Sequence, residues 1–253
     1  MHLLFPISNK LQKENDIFEP NRKSSILKRH IPSFFTCCNL VCGLVAILLG
    51  ENLISYWLIF TGMWLDVFDG LAARFLNATS AIGKELDSMA DLITFGVAPA
   101  VIYYELAPGE GWVYFIPATI FLLGCALRLA IFNTLESKKT FTGLASPAAA
   151  FFMFGIFMSV HAEVPLIQKI MSDKIGYFSI PVFLVIMMLS KLEMFSLKSM
   201  KKPWYNNPFH TLSVLAFIVV LFFNPPLSPL AAVFSYIMLA SLSIKNFKKS
   251  MSK

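Results

Sequence analysis

Residues 66–91 read DVFDGLAARFLNATSAIGKELDSMAD and place four aspartates in an otherwise apolar part of the chain. Asp66 lies three residues before Asp69, and Asp87 lies four residues before Asp91. Side chains at either spacing share one face of an α-helix. Because the connection between the two pairs is short, we expect the two faces to oppose each other and the four carboxylates to lie close together.

The composition indicates that these aspartates belong to an integral membrane protein. Of the 253 residues, 57% are apolar and 14% are charged, whereas soluble chains have about 45–50% and about 25%. The mean hydropathy is +0.67. We therefore predict an all-α, polytopic bundle of membrane helices. The net charge of +6 indicates no nucleic-acid partner, because membrane proteins gather Lys and Arg on their cytoplasmic side.

Apolar segments of about the 20 residues that cross a bilayer recur after residue 30. We predict about eight spans, at 33–50, 53–74, 87–106, 112–134, 146–162, 177–195, 209–223 and 228–245. Residues 1–30 mix charges of both signs and contain no apolar signal-peptide core. We interpret them as a cytoplasmic tail and residues 31–253 as one membrane-embedded domain.

The basic residues predict the orientation of the spans. With both termini inside, all but two of the 21 Lys and Arg residues fall on the cytoplasmic side, the exceptions being Lys169 and Lys174. This asymmetry is the positive-inside pattern of membrane proteins. The four aspartates then lie at the cytoplasmic ends of the second and third spans. We expect the protein in the cell membrane, with its site facing the cytoplasm.

Four carboxylates at this depth require a compensating cation. One charged side chain in the membrane costs about 2.5–3.5 kcal/mol on insertion scales, and four negative charges also repel one another. Arg74 and Lys84 are too few to neutralise them. Mg²⁺ fits, with Mn²⁺ close behind, because these ions prefer hard oxygen ligands. Zinc is disfavoured because the four His residues never pair at ligand spacing.

Small and basic residues in the same stretch indicate that a phosphate group binds beside the metal. Gly70 follows Asp69 directly, and Gly83 precedes Asp87 by four residues. Glycines let a ligand approach the backbone closely, and Arg74 supplies planar donors for phosphate oxygens. The pattern predicts a metal-bridged phosphate site at the cytoplasmic surface.

The whole stretch resembles the signature of the CDP-alcohol phosphatidyltransferases, D-x2-D-G-x2-A-R-x8-G-x3-D-x3-D, at every fixed position. These are integral membrane enzymes that join a CDP-linked lipid to an alcohol and release CMP. Three flanking segments resemble the bacterial-type phosphatidylserine synthases of this family: IPSFFTCCNLVCG at 31–43, DSMADLITFGVAPA at 87–100 and FTGLASPAAA at 141–150. Two departures are Ile131, where a second basic residue is common, and Ala145, which replaces a proline.

The resemblance implies the family's membrane-helical fold and a set of residue roles, and it makes residues 31–253 a catalytic domain. It implies that Asp66, Asp69, Asp87 and Asp91 hold Mg²⁺ or Mn²⁺, and that Asp91 is also the general base. It implies further that the donor CDP-diacylglycerol is bound by Gly70, Ala73, Arg74 and Gly83, with Thr36 and Asn39 on the first helix as additional candidates. The implied acceptor is L-serine, the implied product is phosphatidylserine, and the implied assembly is a homodimer.

Three residues are candidates for binding the serine: Arg128, Asn133 and Ser146. Arg128 lies near the inner end of the fourth span, where a charged residue is a functional-site hypothesis. It is predicted to bind the serine carboxylate. An alternative interpretation is that it pairs with one of the aspartates or reaches the lipid headgroups.

Other functions remain open at this point. A sister enzyme would use another alcohol, such as glycerol 3-phosphate or an inositol phosphate, although a phosphorylated acceptor needs additional cations. A divalent-cation transporter would also carry aspartates in its helices, but here no acidic residue continues the path across the bilayer. A non-catalytic lipid-binding scaffold is disfavoured by the intact Asp91.

Overall fold

The computed structural model of this chain describes residues 22–76, 80–134, 141–190, 193–194 and 208–251 and forms a bundle of helices. The helices are α1 (Arg22–Leu49), α2 (Leu53–Phe75), α3 (Ala81–Asp91), α4 (Ala98–Glu105), α5 (Phe115–Thr134), α6 (Ser146–His161), α7 (Pro165–Ser172), α8 (Lys174–Leu189), α9 (Pro208–Phe223) and α10 (Ser228–Met251). A π-helical segment, Leu92–Val97, joins α3 to α4 without a break, and short 3₁₀ turns precede α5 and α10. Two short strands, β1 (Phe141–Thr142) and β2 (Glu193–Met194), pair antiparallel.

The first two helices form a hairpin, and α3 returns along α1. Asn52 caps α2 by accepting a 2.9 Å hydrogen bond from the Ile54 N–H. Ser80 caps α3 in the same manner, because its Oγ accepts from the Gly83 N–H at 2.9 Å. Both caps satisfy backbone donors that the first helical turn leaves without a partner. The cap at Ser80 fixes where the helix carrying the second aspartate pair begins.

The π-helical segment packs closely against α1 and α2 around Thr94. The Thr94 hydroxyl donates to the Asn39 carbonyl at 2.9 Å. A Cβ atom on Gly43 would lie 2.5 Å from Thr94 Oγ1, and one on Gly62 would lie 2.6 Å from Thr94 Cγ2. Glycine at these two positions therefore lets three segments of the bundle meet at one residue.

The core is built mainly from aromatic and aliphatic side chains of α4, α5, α6 and α8. Tyr103 and Tyr177 stack with their ring centroids 4.6 Å apart. Each hydroxyl donates to the backbone carbonyl of the other tyrosine, at 2.5 Å from Tyr103 and 2.9 Å from Tyr177. Buried tyrosine hydroxyls need such partners, and this reciprocal pair joins α4 to α8.

The helices confirm the all-α prediction, but eight membrane crossings are not confirmed. Within the described residues, three helical stretches are long and apolar enough to cross a membrane: His30–Leu49, Ala81–Glu105 and Trp112–Thr134. A fourth is possible if α6 and α7, bent by 104° at their junction, count as one span. The helices α8 and α9 have 16 residues each, fewer than the about 20 that a span needs.

Several predicted boundaries differ from those in the structure. The first helix begins at Arg22, inside the predicted tail, of which residues 1–21 lie outside the described part. The predicted span at 177–195 is wrong at its end, because α8 stops at Leu189 and Glu193 pairs with Thr142 in the short sheet. Helix α7 was not expected. Hydropathy alone did not predict that the helix ends at His161, nor that β1 pairs with β2.

Candidate active site

Three of the four signature aspartates converge in the structure. Asp66 and Asp69 project from α2 and Asp87 projects from α3, and one carboxylate oxygen from each lies within 4.8 Å of the others. The two acids on α2 share a face because they are three residues apart. The expected approach of the two helices is therefore observed at these three side chains.

The three carboxylates suit a divalent cation. Asp69 is only 5% exposed. The Oδ1 atom of Asp87 is buried and has no hydrogen-bond partner among the described residues. A buried carboxylate oxygen without a partner costs free energy, and neighbouring like charges add to that cost. Hard oxygen donors at this separation are what Mg²⁺ and Mn²⁺ bind, so the residues fit the ion that the sequence predicts.

Asp91 lies outside that group of three. It is 8% exposed, and its Oδ1 accepts a hydrogen bond of 3.4 Å from Asn39 Nδ2 on α1. It is the last residue of α3, directly before the π-helical segment. Such π-helical turns occur frequently at functional sites. The structure thus gives Asp91 surroundings that differ from those of the other three aspartates.

A cavity of about 590 Å³ opens beside the carboxylates, within the roughly 300–1,000 Å³ of small-molecule sites. Its lining comes from α1, α2 and the start of α3: Pro32, Ser33, Thr36, Asp69, Gly70, Ala73, Arg74, Ser80, Ala81, Gly83, Lys84 and Asp87. A Cβ atom added to Gly70 would meet no atom within 4 Å. The absence of a side chain at Gly70 therefore leaves part of this cavity open.

Five of the six predicted donor-binding residues line the cavity, namely Thr36, Gly70, Ala73, Arg74 and Gly83. The sixth, Asn39, is fully buried and is not part of the lining. Two cationic side chains also lie at the wall. Arg74 Nε donates to the Gly70 carbonyl at 2.9 Å, and Lys84 Nζ donates to the Asn133 carbonyl at 3.4 Å.

None of the three predicted serine-binding residues lines that cavity, and the described part of the structure does not bring them into one shared contact. Arg128 is 6% exposed and donates from Nε to the Leu144 carbonyl at 3.1 Å. Asn133 donates from Nδ2 to Ser88 Oγ at 2.7 Å. Ser146 is buried, and its Oγ has no hydrogen-bond partner among the described residues.

Sequence reasoning missed two serines that shape this region. Ser80 caps the helix that carries Asp87 and lines the cavity, and a serine three residues before Gly83 at a helix start is the signal that could have found it. Ser88 accepts from Asn133 and also donates to the Lys84 carbonyl at 3.0 Å. No sequence signal singled out Ser88, because its partner Asn133 lies far away along the chain.

Comparison with known proteins agrees with this geometry. The family model described as CDP-alcohol phosphatidyltransferase matches residues 29–185, which is more than half of the chain and includes all four aspartates. The chain belongs to the CDP-alcohol phosphatidyltransferase family. Members of this family are membrane-bound and generally use divalent metals, so the aspartate cluster of this CDP-alcohol phosphatidyltransferase is a site that could hold one.

Three relatives carry the name CDP-diacylglycerol--serine O-phosphatidyltransferase. The Bacillus subtilis protein is 48% identical over 130 residues, covering 47% of this chain and 71% of its own length. The Methanocaldococcus jannaschii protein is 39% identical over 150 residues, covering 59% of this chain and 70% of its own. The Helicobacter pylori protein is 35% identical over 126 residues, covering 47% of this chain and 53% of its own length.

Proposed function

We propose that this CDP-alcohol phosphatidyltransferase transfers the phosphatidyl group of CDP-diacylglycerol to the hydroxyl of L-serine, giving phosphatidylserine and CMP. The observation that carries the proposal is the convergence of Asp66, Asp69 and Asp87 within 4.8 Å at the edge of a cavity of about 590 Å³. The three relatives named above support serine as the acceptor, since each is named for transfer to serine.

Asp66, Asp69, Asp87 and Asp91 would together hold Mg²⁺ or Mn²⁺, and Asp91 would also be the general base. The bound ion would neutralise the diphosphate of the donor and stabilise the departing CMP. The three converging carboxylates and the unpartnered Asp87 Oδ1 support this assignment. Without a cation, the same carboxylates would repel the negatively charged donor.

The chain's own residues bind the donor and move the proton. Gly70, Ala73, Arg74 and Gly83 form the wall against which the CDP moiety would lie. Asp91 would accept the proton of the serine hydroxyl while the serine oxygen attacks the phosphorus that bears the diacylglycerol. A bond forms between that oxygen and the phosphorus, and the bond from the same phosphorus to the oxygen of CMP breaks. Phosphoryl transfer of this kind depends mainly on positioning and charge compensation.

The acceptor would be recognised by Arg128, with Asn133 and Ser146 as further candidates. Arg128 is buried and keeps a planar guanidinium, whose geometry suits a carboxylate. Its contact with Leu144 places it next to the start of α6, where Ser146 has a buried hydroxyl oxygen without a described partner. These two observations support a role in acceptor recognition for the junction of α5 with the start of α6.

The membrane setting is part of the same proposal. We propose about eight spans in a membrane-embedded catalytic domain of residues 31–253, a cytoplasmic tail before it and a homodimeric assembly in the cell membrane. The active site would face the cytoplasm, because all but two of the 21 basic residues fall on one side of such a topology.

The proposed function is tested by incubating the purified protein in detergent with CDP-diacylglycerol, Mn²⁺ or Mg²⁺, and one alcohol at a time, while CMP release is followed. The alcohols are L-serine, glycerol 3-phosphate and an inositol phosphate. We expect CMP release with serine and its absence with the two phosphorylated acceptors. Release with a phosphorylated alcohol in place of serine would assign the chain to a sister activity, and no release with any alcohol would contradict transferase function.

A further inference from the structure

We propose that Thr36 and Asn39 on α1 are positioning residues that hold the two aspartate pairs in register with each other. This inference rests on the metal site of the proposed function. It differs from the family-based prediction, in which both residues bind the donor. Thr36 and Asn39 are three residues apart and share one face of α1. Each contacts an aspartate of a different pair.

Thr36 contacts the first pair. Its hydroxyl lies 2.8 Å from Asp69 Oδ2 and 3.1 Å from the Pro32 carbonyl. One hydroxyl proton serves one strong acceptor at a time, and the shorter distance and the charge of the carboxylate favour Asp69. Thr36 is 3% exposed and Asp69 is 5% exposed. Little water therefore competes for this hydrogen bond, and it orients a carboxylate of the converging group.

Asn39 contacts the second pair. Its Nδ2 donates to Asp91 Oδ1 at 3.4 Å, and the residue is fully buried. Only the amide nitrogen can donate to an ionised carboxylate, so this orientation is the one that Asp91 requires. The contact joins α1 to the last residue of α3.

The position of α1 is itself fixed beside these contacts. The Thr94 hydroxyl donates to the Asn39 backbone carbonyl, and glycines at 43 and 62 remove the atoms that would separate the segments. The backbone around Asn39 is therefore held to the π-helical segment that follows Asp91. A rigid helix with one contact to each pair sets the separation of the two pairs.

Stability alone does not explain Asn39. Its Oδ1 is buried without a hydrogen-bond partner among the described residues, and a Cβ atom on Gly62 would lie 2.8 Å from it. A buried polar atom of this kind is unfavourable for folding. An apolar side chain would avoid that cost, whereas it would leave Asp91 without its donor.

The test measures Mn²⁺ binding to the purified protein, by following the electron paramagnetic resonance signal of free Mn²⁺ during a titration. Thr36→Val keeps the branched shape and removes the hydroxyl, while Thr36→Ser keeps the hydroxyl. The matched control is Thr61→Val, because the Thr61 hydroxyl donates to the Trp57 carbonyl of its own helix at 2.8 Å and to no other group in the described part of the chain. Asn39→Ala tests the second contact.

We expect Thr36→Val and Asn39→Ala to weaken Mn²⁺ binding by about 10–100-fold, the usual effect of losing a residue that orients a metal ligand. Thr36→Ser and Thr61→Val should bind as the wild type does. In an Asp69→Ala background Thr36→Val should cause no further loss, and in an Asp91→Ala background Asn39→Ala should cause none, because the orienting contact is already gone. A thermal unfolding scan of each variant separates weakened binding from a failure to fold.

Wild-type Mn²⁺ affinity in Thr36→Val and Asn39→Ala would overturn the inference, and so would losses that persist in the Asp69→Ala and Asp91→Ala backgrounds. If Thr36→Val does not fold, the inference is decided by comparing how much Asn39→Ala weakens Mn²⁺ binding in the wild type and in the Asp91→Ala background. The alcohol assay is independent of this result. Transfer to serine with unchanged Mn²⁺ binding in the variants refutes only the positioning role, whereas altered Mn²⁺ binding without transfer to serine refutes only the proposed acceptor.

Discussion

At the scale of single residues, Asp91 is the signature aspartate that we propose as the general base. It contacts Asn39 and lies outside the converging group of three. We predict that Asp91→Asn lowers the single-turnover rate by about 10²–10⁴-fold, the usual contribution of a general base, with a much smaller change in CDP-diacylglycerol binding. The carboxamide keeps the shape of the side chain but cannot accept the hydroxyl proton.

Single-turnover kinetics beside calorimetry of donor binding measure the two quantities separately. Equal losses in rate and in donor affinity would show that Asp91 only helps to hold the metal. If the Asp91→Asn variant keeps the wild-type rate when saturated with metal, Asp91 is not the general base.

Arg128 gives a second prediction at this scale. Arg128→Lys keeps the charge but loses the planar pair of donors, so we expect the KM for serine to rise while the KM for CDP-diacylglycerol stays near its wild-type value. Steady-state kinetics with each substrate varied in turn measure both constants. Because Arg128 also donates to the Leu144 carbonyl, an equal loss toward both substrates would instead assign it to holding α5 against the segment before α6.

At the scale of secondary-structure elements, we expect alanine substitutions at two glycines to have different effects, one on stability and the other on donor binding. A Cβ atom on Gly43 would lie 2.5 Å from Thr94 Oγ1 and 2.8 Å from Thr94 Cα, whereas one on Gly70 would meet nothing within 4 Å. We predict that Gly43→Ala destabilises the fold by about 1–3 kcal/mol, as overpacking does. Gly70→Ala should not lower the unfolding temperature, because alanine is favoured over glycine inside a helix, and it should raise the KM for CDP-diacylglycerol, because its methyl group enters the cavity.

Thermal unfolding and donor kinetics on both variants check this pair. A stable Gly43→Ala protein would contradict the close packing of α1 on the π-helical segment. An unchanged donor KM in Gly70→Ala would place the CDP moiety away from this wall.

The elements show what the sequence could predict and what it could not. Hydropathy located helical residues in all eight predicted segments, because long apolar runs in a membrane protein form helices. It did not predict the π-helical segment Leu92–Val97, which depends on packing around Thr94. It also did not predict the 104° bend between α6 and α7, where Glu163 adopts φ 54°.

The same division holds for the site. Helical spacing predicted that all four aspartates lie close together as two facing pairs, because short-range periodicity fixes which side chains share a face. Asp66, Asp69 and Asp87 converge as expected, whereas Asp91 lies outside that group of three. The contacts of Thr36 with Asp69 and of Asn39 with Asp91 join residues 33 and 52 positions apart. Spacing within one helix carries no information about such contacts, so the sequence could only associate these residues with the donor.

At the scale of the whole molecule, the distribution of basic residues predicts the topology. Both termini should be cytoplasmic, because all but two of the 21 Lys and Arg residues then lie inside. We expect that a membrane-impermeant thiol reagent applied to intact cells does not label Lys10→Cys or Ser250→Cys in a background without native cysteines. Labelling in permeabilised cells is the control for reactivity. Labelling of either position in intact cells would overturn the orientation.

The central claim is that the converging carboxylates make this chain a metal-dependent transferase that acts on serine. The most direct measurement is serine-dependent CMP release by the wild type, by Asp87→Ala and by Glu85→Gln, each with Mn²⁺ and with excess chelator. Glu85 is an exposed acid on the same helix and serves as the matched control. We predict release by the wild type and by Glu85→Gln that chelator abolishes, and no release by Asp87→Ala, which lacks one of the carboxylates proposed to bind the metal. Wild-type release that persists in excess chelator, or full activity of Asp87→Ala, would contradict this account.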